Sequence, residues 1–354
     1  PSTNPIATPL NNTINAIKGR NSIILSPSPK GDAVCELIVE ILQKVLVRLG
    51  HPKHLIQKIP SPASKEATNT LMQSVDLVVV TGSEKNVSSA YRSGTPAIGV
   101  GVGNVAVIID ETADLKSAAR KVVTSKTFDN ATSCSSENSL VIVDEVYENA
   151  IEALQEEGGV LLDHEETQEL KDNLWIQGKL NPHLIAKSAS EIATVVGFQR
   201  PEMKQAKMLM VEETGTGSEH PFSGEKLSPV LTLYRAENFE YACQKIIELY
   251  EFQGKGHSVG LHSKDETRPL EMGLILPACR VIVNQPHCLA TGGSFSNGMP
   301  FSLSMGCGTW GRNSISDNLN YRHFLNIVRV VHPVTSIEPS EEEIFGDFWE
   351  KHGR

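Results

Sequence analysis

The sequence predicts an α/β fold with a parallel sheet covered by helices on both faces. Over the first half of the chain, short apolar runs such as 76–83, DLVVVTGS, alternate with longer segments of helical periodicity such as 33–50. This alternation is typical of strand–helix–strand units, whose parallel strands are buried on both sides. The length of 354 residues predicts two domains or one large α/β unit.

The individual elements follow from apolar periodicity and from glycine and proline. We expect a strand at 21–26 that ends in Pro and Ser, a helix at 33–50, a strand at 76–80 and a helix from 84. Further strands are expected at 96–100, 105–110, 139–143, 207–213, 228–235 and 279–285, and further helices at 114–128, 144–157 and 164–190. The acidic residues 339–354 are predicted to form a helix or a loose tail.

Composition limits the classes of function. Hydrophobic residues make up 40% of the chain, charged residues make up 21%, and the net charge is −10. An acidic chain lacks the basic footprint of a nucleic-acid-binding protein, and no stretch reaches the length of a membrane span. We therefore predict no nucleic-acid or membrane partner. Six scattered cysteines predict free thiols and a cytoplasmic location.

Two glycine motifs are candidates for phosphate binding. GVGVGN, 99–104, precedes an apolar strand rather than a helix, so it does not match the dinucleotide fingerprint and indicates a tight turn between strands. VVVTGSEKN, 78–86, is a better candidate because its glycine opens a helix, whose N-terminus favours anions.

A metal site is not predicted. His257, His262, His287 and Cys288 are clustered in sequence, but their spacing matches no known set of zinc ligands.

Cys134 differs from the other five cysteines because Asn, Ser and Thr surround it in FDNATSCSSEN, 128–138. A polar loop gives a substrate access to the sulfur, and its amides can hold a developing oxyanion. The residues alone leave two alternatives open, a catalytic thiol and an inert loop cysteine.

Four segments carry a family resemblance: TNPIATP (3–9), GTPAIGV through ENS (94–139), GEKLSPVLTLYRAENFE (224–240) and GCGTWGRNSISDNLNYRHFLN (306–326). They resemble the coenzyme A-acylating branch of the aldehyde dehydrogenase superfamily, in this order and up to about residue 330. The resemblance implies a Rossmann-type cofactor domain at 1–101, an α/β catalytic domain at 102–330 and an acidic tail at 331–354. It also implies a homo-oligomer.

The resemblance assigns roles to individual residues. Cys134 matches the nucleophile that forms a thiohemiacetal and then a thioester, and Asn4 matches the side-chain donor of the oxyanion hole. Glu225 matches the glutamate that binds the nicotinamide ribose. The remaining positions that match the lining of the NAD or NADP site are Ser26, Pro27, Ser28, Gly82, Ser83 and Gly101.

The step that releases the acyl group from the cysteine distinguishes two hypotheses, an acylating enzyme and a hydrolytic one. Hydrolytic relatives have a glutamate general base where this sequence, aligned on its glycines, has Val100, and valine cannot activate water. A thiol such as coenzyme A needs less activation because its thiolate forms more easily. The sequence therefore favours an acyl-coenzyme A product over a free acid.

The substrate prediction is narrower. The segments at 1–9, 128–139 and 308–324 are most similar to enzymes that act on sulfoacetaldehyde, while acetaldehyde and succinate semialdehyde remain alternatives, as does a fragment without activity. A sulfonate needs cations, for which Arg280, Arg312 and Arg322 are candidates.

Family members have a further segment before TNP, so we expect this chain to lack strands that flank 21–26 and 76–80 and to have an exposed sheet edge.

Overall fold

The computed structural model describes residues 4–82 and 84–354. The helices are α1 Ala7–Lys18, α2 Asp32–Arg48, α3 Lys65–Ser74, α4 Glu84–Tyr91, α5 Leu115–Thr127, α6 Tyr147–Glu156, α7 His164–Leu174, α8 Ala189–Val196, α9 Phe239–Phe252, α10 Arg268–Ile275, α11 His287–Thr291 and α12 Glu341–His352. The strands are β1 Ile23–Leu25, β2 Ile56–Lys58, β3 Val78–Thr81, β4 Ala97–Val100, β5 Val105–Ile109, β6 Glu137–Val143, β7 Gly159–Leu161, β8 Trp175–Ile176, β9 Lys179–Leu180, β10 Met208–Glu212, β11 Val230–Ala236, β12 Val259–His262 and β13 Val281–Val283.

The main sheet has seven parallel strands in the order β13-β12-β5-β6-β11-β10-β7. Every residue of β5 and β6 is buried, which explains why β5 and the second half of β6, 140–143, are continuous apolar runs rather than alternating patterns. Each aliphatic side chain buried in this way stabilises the fold by about 1.5–3 kcal/mol. The predicted fold class is confirmed.

Helices cover both faces of this sheet. On one face α5 and α6 pack on Val107, Leu140 and Leu231. On the other face α9 and α10 pack on Ile108 and Val141. Neighbouring residues of one strand thus enter opposite cores, as the period of two in a strand requires.

The described part of the first hundred residues contains two separate two-stranded parallel sheets, β1-β2 and β3-β4. Among the described residues, β1 and β3 each pair along one edge only. A groove of about 460 Å³ lies between them and is lined by residues 21–28 and 74–81 together with α1. The predicted exposed sheet edge is therefore confirmed.

Some predictions of elements were wrong. The helix expected at 164–190 ends at Leu174, and an antiparallel pair of short strands, β8 and β9, follows it. Strand β12 was not predicted, because its segment GHSVGLHS has no continuous apolar run. The turn predicted at 99–104 is present between β4 and β5, but it is shorter than predicted because Gly99 and Val100 still belong to β4.

Residues 1–324 and residues 325–354 form two separate compact units. The second unit contains α12, which begins with a capping box between Ser340 and Glu343, so the helix alternative for the acidic tail is confirmed. In the described part of the chain, no helix is both long and apolar enough to cross a membrane.

Candidate active site

Cys134 lies in a strained loop between α5 and β6. Asp129, Asn130 and Ala131 have φ angles of 49°, 48° and 59°, in the left-handed region that costs a non-glycine residue about 1–2 kcal/mol. The hydroxyl of Thr132 donates to the carboxylate of Asp129 at 2.9 Å and holds the turn closed. Strain of this kind persists only where the surrounding structure enforces it, and it is common at functional sites.

A glycine packs directly against Cys134. A Cβ atom built on Gly103 would lie 1.8 Å from the carbonyl oxygen of Cys134 and 3.1 Å from its Cβ. The turn between β4 and β5 can therefore reach the thiol loop only because residue 103 has no side chain. The glycine spacing predicts the turn but not this contact.

The environment of Cys134 disfavours ionisation of its thiol. The residue is partly exposed, yet desolvation raises the pKa of its thiol well above the usual value, and Glu225, Cys307 and Cys288 add to the rise. The structure thus brings together Cys134 and Glu225, two of the predicted site residues. All six cysteines are free, as predicted.

Gly101 contacts the same region. The side-chain oxygen of Asn313 accepts hydrogen bonds from the backbone N–H groups of Gly101 at 3.2 Å and of Cys307 at 2.9 Å. A Cβ atom at Gly101 would lie 3.3 Å from the sulfur of Cys307. Asn313 thereby ties the end of β4 to the loop at 306–313, near the predicted nicotinamide end of the cofactor site.

Glu225 is half-buried, and its backbone N–H donates to the side chain of Gln253 at 3.0 Å. Burial raises the pKa of its carboxyl to about 8, although Lys126 and Lys226 oppose the rise. The ammonium of Lys226 donates to three backbone oxygens, at 2.6 Å to Phe222 and at 3.0 Å to Asn138 and Gly224. Lys226 therefore holds its own segment in place beside β6.

Asn4, the predicted oxyanion-hole residue, lies just before α1. Its side-chain oxygen accepts the backbone N–H of Ala7 at 3.2 Å. This bond fixes the side chain and leaves its amide N–H groups for another acceptor, as an oxyanion donor requires. The role itself stays a prediction.

Three predicted cofactor residues, Ser26, Pro27 and Ser28, line the groove between β1 and β3. The hydroxyl of Ser26 lies 2.8 Å from that of Thr68, and the buried hydroxyl of Ser28 has no hydrogen-bond partner among the described residues. Gly82 follows β3 with a φ of +145° and leads into α4. Ser83, the last predicted residue, lies outside the described residues.

Two of the three histidines considered as metal ligands, His257 and His287, take part in a buried hydrogen-bonded chain. The hydroxyl of Ser258 lies 2.8 Å from Nδ1 of His257 and 2.9 Å from Nε2 of His287. Burial lowers the pKa of His257 to about 3, so its imidazole is neutral.

The three arginines considered as sulfonate ligands differ in their surroundings. Arg280 is buried and bonds Asn318, the carbonyl of His257 and that of Gly306, whereas Arg312 and Arg322 are exposed.

Sequence reasoning missed two charged residues beneath the loop, Lys126 and Glu137. Both are 0–1% exposed. A signal for Lys126 exists, because it follows Val122 and Val123 at helical spacing and so continues the buried face of α5. No comparable signal marks Glu137, which begins a strand after a polar loop.

A thiol on a strained loop, packed against a glycine turn and surrounded by buried ionisable groups, is an arrangement typical of enzymes with a nucleophilic cysteine. The aldehyde dehydrogenase family model matches residues 3–163. An acylating sulfoacetaldehyde dehydrogenase of Cupriavidus necator is 54% identical over all of this chain and 72% of its own length. The chain belongs to the aldehyde dehydrogenase family, in its acylating branch.

Solved structures agree with this assignment. An acetylating aldehyde dehydrogenase from Geobacillus thermoglucosidasius matches with a TM-score of 0.90 and 37% identity, over 96% of this chain and 74% of that one. A propionaldehyde dehydrogenase from Rhodopseudomonas palustris was solved with bound CoA and an acylated cysteine. It matches with a TM-score of 0.82 and 26% identity, over 92% of this chain and 72% of that one. The predicted family and its enzyme class, an oxidoreductase acting on aldehydes, are confirmed.

Proposed function

We propose that the protein oxidises sulfoacetaldehyde to its acyl-coenzyme A with NAD or NADP, and that Cys134 carries the acyl group. The observation that supports this most is the fit of Cys134 against Gly103 in the strained loop, beside Glu225. The acylated cysteine of the Rhodopseudomonas palustris enzyme supports an acyl-enzyme in this family.

The residues of the chain have separate tasks in this reaction. The thiol of Cys134 first loses its proton to solvent, and its sulfur then attacks the aldehyde carbon. The carbonyl π bond breaks, and the amide of Asn4 with the backbone N–H of Cys134 stabilises the oxyanion. Bound NAD(P)⁺ supplies the acceptor for the hydride, so a thioester remains on Cys134. The coenzyme A thiolate then attacks the thioester carbon, and Cys134 leaves as a thiolate.

The described residues fit a dinucleotide. Ser28 has a buried hydroxyl without a partner, at the end of a groove that a ligand can enter. Ser26, Pro27, Ser28 and Gly82 follow the carboxyl ends of parallel strands, where α/β sheets bind nucleotides. These residues would hold the adenosine and pyrophosphate, and Gly101 with Glu225 would hold the nicotinamide end.

The choice of coenzyme A over water is supported by Val100. This residue ends β4 and is 1% exposed. When the glycines are aligned, it is an apolar side chain at the position where a hydrolytic relative has its glutamate. A poor site for activating water preserves the thioester until a thiol arrives.

Sulfoacetaldehyde as the substrate is supported by the 54% identity to an enzyme of that name. Among the three arginines, Arg312 is the candidate we favour for the sulfonate. It has a φ of 55°, so its backbone is strained, and it directly precedes Asn313, which binds Gly101. Acetaldehyde and succinate semialdehyde are the alternatives.

The test is NAD(P)H formation at 340 nm with each of the three aldehydes, with and without coenzyme A, for the wild-type protein and Cys134→Ser. We expect turnover to require both coenzyme A and Cys134, with sulfoacetaldehyde preferred. Turnover without coenzyme A would identify a hydrolytic enzyme. A preference for another aldehyde would show that the proposed substrate, sulfoacetaldehyde, is wrong.

A further inference from the structure

Three segments meet beneath the loop that contains Cys134. They are the end of α5 with Ser125 and Lys126, the first residue of β6, Glu137, and the start of α11 with His287 and Cys288. Each of these five residues is at most 7% exposed. The loop at 128–136 connects the first segment to the second, so whatever joins these segments sets the two ends of the loop.

Glu137 joins all three segments through hydrogen bonds. One carboxylate oxygen accepts the hydroxyl of Ser125 at 2.6 Å, and the other accepts the backbone N–H of His287 at 3.3 Å. The oxygen of Ser125 in turn accepts the backbone N–H of Cys288 at 2.7 Å. Because a peptide bond joins His287 to Cys288, these three hydrogen bonds close a ring. We call this ring of Ser125, Glu137, His287 and Cys288 the Glu137 clamp.

The clamp also contains buried charge. Lys126 is 0% exposed, and its ammonium has no hydrogen-bond partner in the described part of the chain. Its electrostatic neighbours are Glu137, Glu225 and Cys288. Burial raises the pKa of Glu137 to about 7 and lowers that of Lys126 to about 8. A buried charge is costly unless an opposite charge compensates it, so Lys126 and Glu137 stabilise each other across the base of the loop.

Cys134 is connected to the clamp through its neighbour in sequence. The hydroxyl of Ser135 lies 3.5 Å from the carbonyl oxygen of Cys288 and 3.9 Å from its sulfur. The hydroxyls of Ser133 and Ser135 lie 2.9 Å apart. Ser133 and Ser135, the residues on both sides of Cys134, therefore belong to one hydrogen-bonded network. This network contacts Cys288, whose backbone is part of the clamp.

We propose that Glu137 and Ser125 are positioning residues, which fix the loop of Cys134 on the start of α11 so that the sulfur keeps one place through both halves of the reaction. Attack on the aldehyde and release to the second thiol both demand that the reacting atoms meet within a narrow geometry, and a displacement of about 1 Å costs on the order of a hundredfold in rate. The proposal rests on the proposed role of Cys134 and adds the residues that place it.

The test compares Ser125→Ala and Glu137→Gln with Tyr147→Phe. The control removes a similar hydrogen bond to a carboxylate, from Tyr147 to Glu212 at 2.8 Å, in a helix away from the loop. The measurements are the thermal midpoint, kcat and KM for each substrate, and the rate of alkylation of Cys134 by iodoacetamide as a function of pH, followed by peptide mass spectrometry.

We expect both clamp variants to lower kcat by about 10- to 100-fold, to leave KM for the nucleotide within about twofold and to change the pH profile of Cys134 alkylation. Tyr147→Phe should change only the thermal midpoint. Equal kcat in the clamp variants and the control at matched folded fraction, or an unchanged alkylation profile, would overturn the proposal. If the wild-type protein shows no turnover, the proposed function fails, but the alkylation profiles still decide whether the clamp positions Cys134.

Discussion

The two parts of the chain differ in how completely their sheets are paired. The strands β5 and β6 lie in a seven-stranded sheet and are buried along their whole length. By contrast, β1 and β3 have only one partner each among the described residues, and Ile24 in the middle of β1 is 39% exposed. The region that holds Cys134 is therefore a complete core, whereas the region predicted to bind the cofactor has open edges. From this difference we expect the surroundings of the thiol loop to be more rigid than those of the groove.

The largest expected effect is on hydrogen exchange in the chain of residues 1–354. Amides of β6 should exchange only on global unfolding, whereas those of β1 should exchange by local opening, about a thousandfold faster. Exchange followed by mass spectrometry at peptide resolution measures both strands in one experiment. Equal protection would mean that the two regions unfold as one unit, and the comparison would then be wrong.

The second prediction concerns the rigid contact at Cys134. Gly103→Ala should lower kcat by about a hundredfold, because the added methyl group displaces the loop from its place. Gly273→Ala is the matched control, since a Cβ there meets nothing within 4 Å and alanine favours the helix by up to about 1 kcal/mol. Activity and thermal midpoint measured together separate displacement from unfolding. Full activity in Gly103→Ala would show that the loop accommodates the added methyl group without displacing Cys134, and the prediction would be wrong.

The third prediction concerns Arg312, at the junction of the two regions. Arg312→Gly should raise KM for sulfoacetaldehyde about tenfold and leave acetaldehyde unchanged, since about 1.4 kcal/mol of charge interaction is lost. The thermal midpoint should not fall, because glycine relieves the φ of 55°.

Arg20→Gly is a close control for this prediction. Arg20 is also an exposed arginine, with a φ of 59°, but it lies after α1. A similar change in aldehyde preference in both variants would exclude Arg312 as the sulfonate residue and would point to a general effect of charge.

The smallest expected effect is on the pH dependence of nucleotide binding. The carboxyl of Glu225 has a pKa near 8, and its carboxylate accepts hydroxyl donors more strongly than its acid form does. The KM for NAD(P)⁺ should therefore fall a few-fold between pH 7 and 9 in the wild type and stay constant in Glu225→Gln.

The stability of the same pair of proteins checks the pKa of Glu225 independently. A carboxyl whose pKa is raised on folding binds its proton more tightly in the folded state, so its contribution to stability is lost as the pH rises from about 4.5 to about 8. Over that pH range the thermal midpoint of Glu225→Gln should therefore rise relative to that of the wild type. A gap that does not change with pH would contradict the raised pKa.

Prediction from the sequence succeeded where the pattern is local. The apolar runs of β5 and β6 and the helical periodicity of α2 and α5 depend on neighbours within a few residues, and all four elements are present. Prediction failed at β12, where pairing with the distant strand β5 outweighs local preference. It also failed after Leu174, where the turn at Gln177 and Gly178, both with positive φ, joins β8 to β9 in a local hairpin that the polar pattern did not indicate. For the site, the family motifs identified Cys134 and Glu225, which lie near each other.

By itself the sequence determined the fold class, the family and the identity of the predicted nucleophile, because periodicity and motif are written in consecutive residues. Only the tertiary structure revealed that Gly103 supports Cys134, that Asn313 joins Gly101 to Cys307, and that Glu137 bonds Ser125 and His287. These contacts join residues up to 212 positions apart. They exist because burial brings such segments together and leaves their polar groups no partner except each other.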